Sequence, residues 1–235
     1  MTIRFSTREQ YLLDRPTLQP QYMRADWFKK LKPIVEGTED GKTAKTCPSL
    51  VNLFKHCIVM PLWCDVRLTR GHRVKVDAEP GEEFIPHPDG TFLVPSFTPE
   101  FFGQGAHDSK QVNDGFRGGF GMQLLPKPIS PWLLEMDEGW SVFVMPATLH
   151  HRNPLPWEPI PGFFNCDNWH QTNMPCRFTS EPAAESTIWA GTPFAYYLPF
   201  KRADAGPLEL RLIEGKEWER VHSEPDACPM AKHRL

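Results

Sequence analysis

The chain has 235 residues and a formal net charge of -3 with the two signs well mixed. No large basic field is present to neutralise phosphates, which argues against a nucleic-acid partner. No apolar run approaches the roughly 20 residues that span a bilayer, and MTIRFSTREQ lacks an apolar leader core, so a soluble cytoplasmic protein without a membrane partner is expected, whether or not it is later built into a virion.

Apolar residues make up 40% and charged residues 23%, ordinary values for a globular domain. The 25 prolines are about twice the usual share of ~5%. Proline ends helices and is confined to edges and turns in sheets, so short strands joined by stiff loops are expected. The cysteines at 47, 57, 64, 166, 176 and 228 form no CxxC pair and match no zinc spacing, so they read as mostly buried thiols.

In chain order, residues 1–45 read as an extension. Within it, Asp26 to Leu31 forms a short amphipathic piece between prolines, with Trp27 and Phe28 as contact anchors. Two readings are open, an arm packed on its own domain and an arm reaching a neighbour, and the first is adopted. Residues 46–202 read as a mainly-β, barrel-like domain. It begins with a helix entered at Cys47–Pro48, where proline suits the first turn. Leu50, Val51, Phe54 and Cys57 share one face of that helix.

IVMPLWCDVRLT then reads as a single strand with Met60, Leu62, Cys64, Val66 and Leu68 on its apolar face. HRVKVDAE and TFLVPSFT are further short strands, and residues 97–122 form a long irregular region. WLLEM and WSVFVMP flank Asp137–Glu138–Gly139, a hairpin signal. STIWAGTPFAYYLPF carries a turn at Ala190–Gly191–Thr192–Pro193 followed by a buried strand. Residues 203–235 read as a tail.

Four stretches occur in order: PQYMRADWFKKLKP (20–33), TAKTCPSLVNLFKHCIVMPLWCDVRL (43–68), SPWLLEMDEGWSVFVMP (130–146) and GTPFAYYLPFKR (191–202). Together they resemble a family of uncharacterised proteins, a domain of unknown function common in bacteriophages and found in some bacteria. That family carries a Trp arm, a Lys/Cys/Pro helix start and a closing strand ending in IPFKR. The chain departs from its acidic V-D-T-D turn, where Asn165–Cys166–Asp167–Asn168 stands instead.

More distantly, the C-terminal half resembles the β-clip barrel of dUTPases and dCTP deaminases. That resemblance implies a β-clip-like or related barrel behind a small α/β N-terminal part. It also implies that the water-activating carboxylate of those enzymes is replaced by Asn165, which cannot act as a base, and that the nucleoside-stacking aromatic is replaced by Asn168. Their Arg-Ser-Gly phosphate turn is absent. A scaffold without its chemistry points to reuse for another purpose.

Three constellations bear on function. His87–Pro88–Asp89 and His150 are candidate ligands of a cupin-like non-haem Fe(II) centre, and Arg152 or Arg202 would then hold a carboxylate co-substrate. Asp167 and His170 are a candidate acid–base pair, with the alternative that Asp167 simply forms the turn. Trp157, inside the proline-rich PLPWEPIPG, is a third contact anchor beside Trp27 and Phe28.

The reading adopted is a non-enzymatic, phage-type structural or binding protein. It would act in an assembly through protein partners or self-association and need no cofactor. The alternatives are the Fe(II) oxygenase and, third, a β-clip enzyme that binds or hydrolyses nucleotides with Mg²⁺.

Overall fold

A computed structural model describes residues 1–37, 41–69, 73–76, 85–86, 92–93, 128, 130–179, 186–202, 212 and 215–217. The protein is mainly β, and every described strand pairing is antiparallel. In chain order the helices are α1 (Gln10–Leu13), α2 (Asp26–Lys30) and α3 (Pro48–His56). The strands are β1 (Ile3–Ser6), β2 (Gln21–Tyr22), β3 (Ile58–Pro61), β4 (Val66–Thr69), β5 (Arg73–Val76), β6 (Ile85–Pro86) and β7 (Phe92–Leu93). They continue with β8 (Leu133–Met136), β9 (Trp140–Pro146), β10 (Trp157–Pro159), β11 (Gly162–Phe164), β12 (Cys176–Phe178), β13 (Ser186–Ile188) and β14 (Pro193–Lys201). No helix among the described residues is long and apolar enough to cross a membrane.

A five-stranded sheet in the order β11-β9-β14-β3-β2 is the centre of the molecule. Its middle strand, β14, is the apolar stretch after Gly191 that the sequence marks as buried. Phe194, Ala195, Tyr196 and Tyr197 are all inaccessible because both faces of the sheet are covered there. One face meets the main core, which contains Ile58, Met60, Val142, Val144, Trp157 and Tyr197. The other packs Val59, Cys57 and Tyr196 against Leu53 of α3. The same two-sided cover buries all four residues of β3, where alternation had predicted one apolar face.

α3 forms as its 3.6-residue period predicts. Pro48 occupies its first turn, Cys47 is the N-cap residue, and Phe54 and Cys57 face inward. The long strand predicted from residue 58 to 69 instead breaks after Pro61. Leu62 N–H donates to Thr192 O at 2.9 Å, Gly191 N–H donates to Leu62 O at 2.8 Å, and the chain resumes as β4 in a separate sheet, β13-β4-β5. Pro61 pairs with Pro193 at this break, so neither partner brings an N–H to extend the ladder.

The predicted hairpin around Gly139 does not form. The turn itself closes, with Trp140 N–H on Asp137 O at 3.2 Å and Gly139 at φ +77°, but its two strands join different sheets. β8 pairs with β1, so one of its edges is taken by the start of the chain. Its other edge receives the 166–170 segment, with Leu134 N–H on His170 O at 2.8 Å and Met136 N–H on Cys166 O at 3.3 Å. No edge of β8 remains for β9.

The described part of residues 1–45 packs into the body of the protein. β1 and β2 each join a sheet, and Leu12 and Leu18 enter the main core. Phe28 of α2 is 2% exposed and stacks on Phe54 of α3 at 4.7 Å between ring centres. Trp27 lies across the surface, its indole N–H donating to Leu149 O at 2.6 Å. The two aromatics thus fasten the segment to its own domain.

Candidate functional site

The residues marked by the sequence fall in four places. His87 and Asp89 lie outside the described residues. His150 sits at the end of a tight helical turn, Thr148–His150, wedged between the rings of Phe54 and Tyr196 at 5.9 and 5.4 Å. Its Nδ1 shares a 2.7 Å hydrogen bond with the Tyr196 hydroxyl, and its Nε2 is buried without a hydrogen bond. Burial first, then the neighbouring His151 and Lys29, push its pKa down from 6.5 to about 4, with the Met23 backbone and Asp26 opposing weakly.

This imidazole is therefore neutral, as a metal ligand must be. The ammonium of Lys29 nearby, however, disfavours a bound cation. Among the described residues no three His, Cys, Asp or Glu side chains group as a metal site. The adjacent His151 is tied separately, its Nε2–H donating to Pro193 O at 2.6 Å, and Arg152 is exposed.

Asp167 and His170 do not form an acid–base pair. Asp167 accepts from the guanidinium of Arg202 through both oxygens, Nη1 to Oδ1 at 2.9 Å and Nη2 to Oδ2, and Oδ2 also accepts from Gly139 N–H at 2.9 Å. The Arg202 contact and the Gly139 amide hold the Asp167 carboxyl far below the usual carboxylate range, so it has no tendency to take a proton at neutral pH. His170 turns the other way and donates from Nδ1 to Leu134 O at 3.2 Å.

Arg202 is equally committed. Its Nη1 also donates to Trp140 O at 3.0 Å and Ser141 Oγ at 2.9 Å, which leaves no fork free for a carboxylate co-substrate. Asn165, standing where the β-clip carboxylate would be, accepts from Ser141 Oγ at 2.9 Å and so completes the same knot.

Trp157 is corrected most clearly. A contact anchor must reach the surface, but this side chain is 0% exposed and stacks on Phe194 at 5.0 Å. β10 turns it inward, against the main core beneath the central sheet. Among the described residues of the second half, the exposed tryptophans are Trp169 and Trp189. Cys57, adjacent in sequence to His56, is also inward, and burial pushes its thiol up to about 12, so it is not an activated nucleophile.

Two surface features were missed by sequence reasoning. On the terminal strand β11, Phe163 is 67% exposed. It packs on Phe143 at 4.9 Å and Phe200 at 5.4 Å, forming an aromatic row at the sheet edge. Pairing Phe163 with Phe143, and Phe143 with Leu198, continues the apolar strip into the sheet. The signal lay in the GFF and LPFKR stretches, but alternation alone does not say which face is left uncovered.

The second feature is a groove of about 620 Å³ between α3, β2 and the ends of β9 and β14. Its polar side comes from Ser49, Asn52, Lys55 and His56 of α3. Positions 49, 52 and 56 recur at helical spacing opposite the apolar stripe, a pattern the sequence carries as plainly as the stripe itself. No protein-family model matches this chain, and no curated protein is significantly similar to it.

Proposed function

We propose that the protein is a non-enzymatic binding protein that works in an assembly, and that it associates with further copies of itself through β11. One observation carries this reading: Phe163, two-thirds exposed on the last strand of the central sheet, stacked with Phe143 and Phe200. Among the described residues no strand pairs with the outer edge of β11, which leaves backbone groups to offer a partner, and the exposed Phe163 ring at the head of an aromatic row has a cost in water that a partner removes. Antiparallel pairing of β11 with β11 of a second copy would extend the sheet across a two-fold axis and place the two Phe163 rings together, a self-complementary contact.

Two further points support the reading. Of the polar groups that suggested chemistry, Asp167, Arg202 and His150 are each absorbed by internal contacts, and His87 and Asp89 lie outside the described residues. The resemblance to phage proteins, whose surroundings are built from repeated copies, fits the same role.

The test is sedimentation equilibrium over a wide concentration range. The wild-type chain is expected to form dimers or larger species, and Phe163→Asp is expected to be monomeric with an unchanged circular dichroism spectrum. A wild-type monomer throughout the range, or an assembly that survives Phe163→Asp, would overturn the proposal.

A further inference from the structure

We infer that the groove beneath α3 binds a small organic anion carried on a flat, apolar body. Its volume, about 620 Å³, falls within the range of roughly 300–1,000 Å³ typical of ligand sites. Leu53, Leu198 and Pro199 supply apolar walls, and the hollow is bordered by Tyr22 of the edge strand β2, whose side chain is exposed, and by Trp140 at the start of β9, which also packs against the main core. The exposed Tyr22 ring offers a planar group a surface to stack on.

The polar contribution is one-sided. Lys55, His56, Ser49 and Asn52 all bring hydrogen-bond donors, and among the described residues no carboxylate lines the groove. Lys55 and His56 make no hydrogen bond or ion pair among the described residues, so their donors face the hollow or water. Asp137, the acidic residue near the chain start, is already bound by Thr2 N–H at 2.9 Å.

A simpler account places Lys55 and His56 in the last turn of α3 merely to complement the helix dipole. That accounts for two residues. It does not account for Tyr22 and Trp140 bordering the same hollow, or for Ser49 and Asn52 aligned along it. The combination of an aromatic border with a rim that carries a lysine, several further donors and, among the described residues, no carboxylate selects for charge and shape together: a sulfonate, carboxylate or phosphate attached to a ring. This inference does not rest on the association through β11: the groove runs from Tyr22 on β2 to Trp140 on β9, its Leu198 wall pairs with Phe143 of the aromatic row, and Phe163 itself is not among its lining residues, so a Phe163 variant separates the two surfaces.

The experiment is a fluorescence titration of the purified full chain with two dyes of similar ring system. Anilinonaphthalene sulfonate carries the anion and N-phenylnaphthylamine does not. The sulfonate is expected to bind about ten-fold more tightly than the uncharged dye, the scale of one hydrogen bond to a charged group. Lys55→Glu is expected to lower sulfonate affinity by about ten-fold while leaving the uncharged dye unchanged. Asn52→Asp, which adds repulsion from the next turn, is expected to do the same.

Phe163→Ser should leave sulfonate binding intact. Equal binding of the two dyes, insensitivity to both charge variants, or loss of binding in Phe163→Ser would each overturn the inference. The last outcome would place the dye on the aromatic edge instead.

Discussion

Arg202 grips Asp167 with both ends of its guanidinium, and in doing so ties the end of the longest strand to the turn that follows β11. The backbone joins the same knot: Arg202 N–H donates to Gly139 O at 2.8 Å, and Gly139 N–H donates to Asp167 Oδ2 at 2.9 Å. Three chain segments far apart in sequence meet at one charged pair. The forked geometry makes the pair specific for arginine, because lysine offers no second parallel donor.

Asp167→Asn is expected to lower the thermal midpoint at neutral pH and to flatten the acid limb of the stability curve. The sign follows from the depressed folded-state pKa. Above the ordinary carboxyl value of 3.8 the charged pair stabilises the fold in full, and this contribution is lost as pH falls through and below that value. Urea unfolding at pH 7, 4 and 3 measures it. If the wild type and the variant lose stability in parallel over that interval, the pair does not act as described.

His150 works in a higher window. Its pKa falls from 6.5 unfolded to about 4 folded, so the unfolded chain binds more protons between those values. Stability is therefore complete above about pH 6.5, declines as pH falls toward 4, and levels off below. His150→Phe keeps the ring between Phe54 and Tyr196 and should abolish this slope. It should also cost about 1–3 kcal/mol at pH 7, because the buried Tyr196 hydroxyl loses its partner. The comparison is made by denaturant unfolding of both proteins from pH 7.5 to 4.

Trp157→Ala is expected to destabilise by about 3–5 kcal/mol, the cost of emptying a large aromatic site in the core. Trp157→Phe should cost much less. It keeps a ring against Phe194, and the indole N–H that it removes has no acceptor among the described residues. Neither change should alter the association state in sedimentation experiments on folded protein. A loss of association with stability intact would return Trp157 to the surface role that its proline-rich surroundings predict.

Gly139→Ala should cost about 1–2 kcal/mol, the penalty for placing a side chain at positive φ. A methyl group there meets nothing within 4 Å, so the penalty is conformational and not steric. Gly162→Ala, also in open space but without a positive φ, should change stability far less. Thermal unfolding of the two variants side by side separates the backbone requirement from a general loss of flexibility.

Much of the fold was legible because burial leaves a period in the sequence. The apolar stripe of α3, the apolar run of β14 and the turn glycines 139 and 191 each specify a local conformation, and each forms where the residues place it. The candidate site was legible only as a set of residue types. Asp167 and Arg202 both stood out as groups capable of chemistry, yet they are 35 positions apart and neither carries a mark naming the other. Trp157 carried a misleading signal, since prolines on both sides describe a stiff loop and are silent about which way it packs.

The sequence by itself determined the apolar face of α3, the apolar runs that become β9 and β14 and the turns at Gly139 and Gly191, because these depend on side-chain periodicity and backbone torsion within a few residues. Only the tertiary structure decided that β8 pairs with β1 and not with β9, that Arg202 closes on Asp167, and that Phe163 stays in water while Trp157 does not. The reason is physical. Every strand edge offers the same backbone donors and acceptors and every strand repeats with the same period of two, so the pattern encodes burial but not the partner, and the partner is settled by which edges and faces the rest of the chain leaves open.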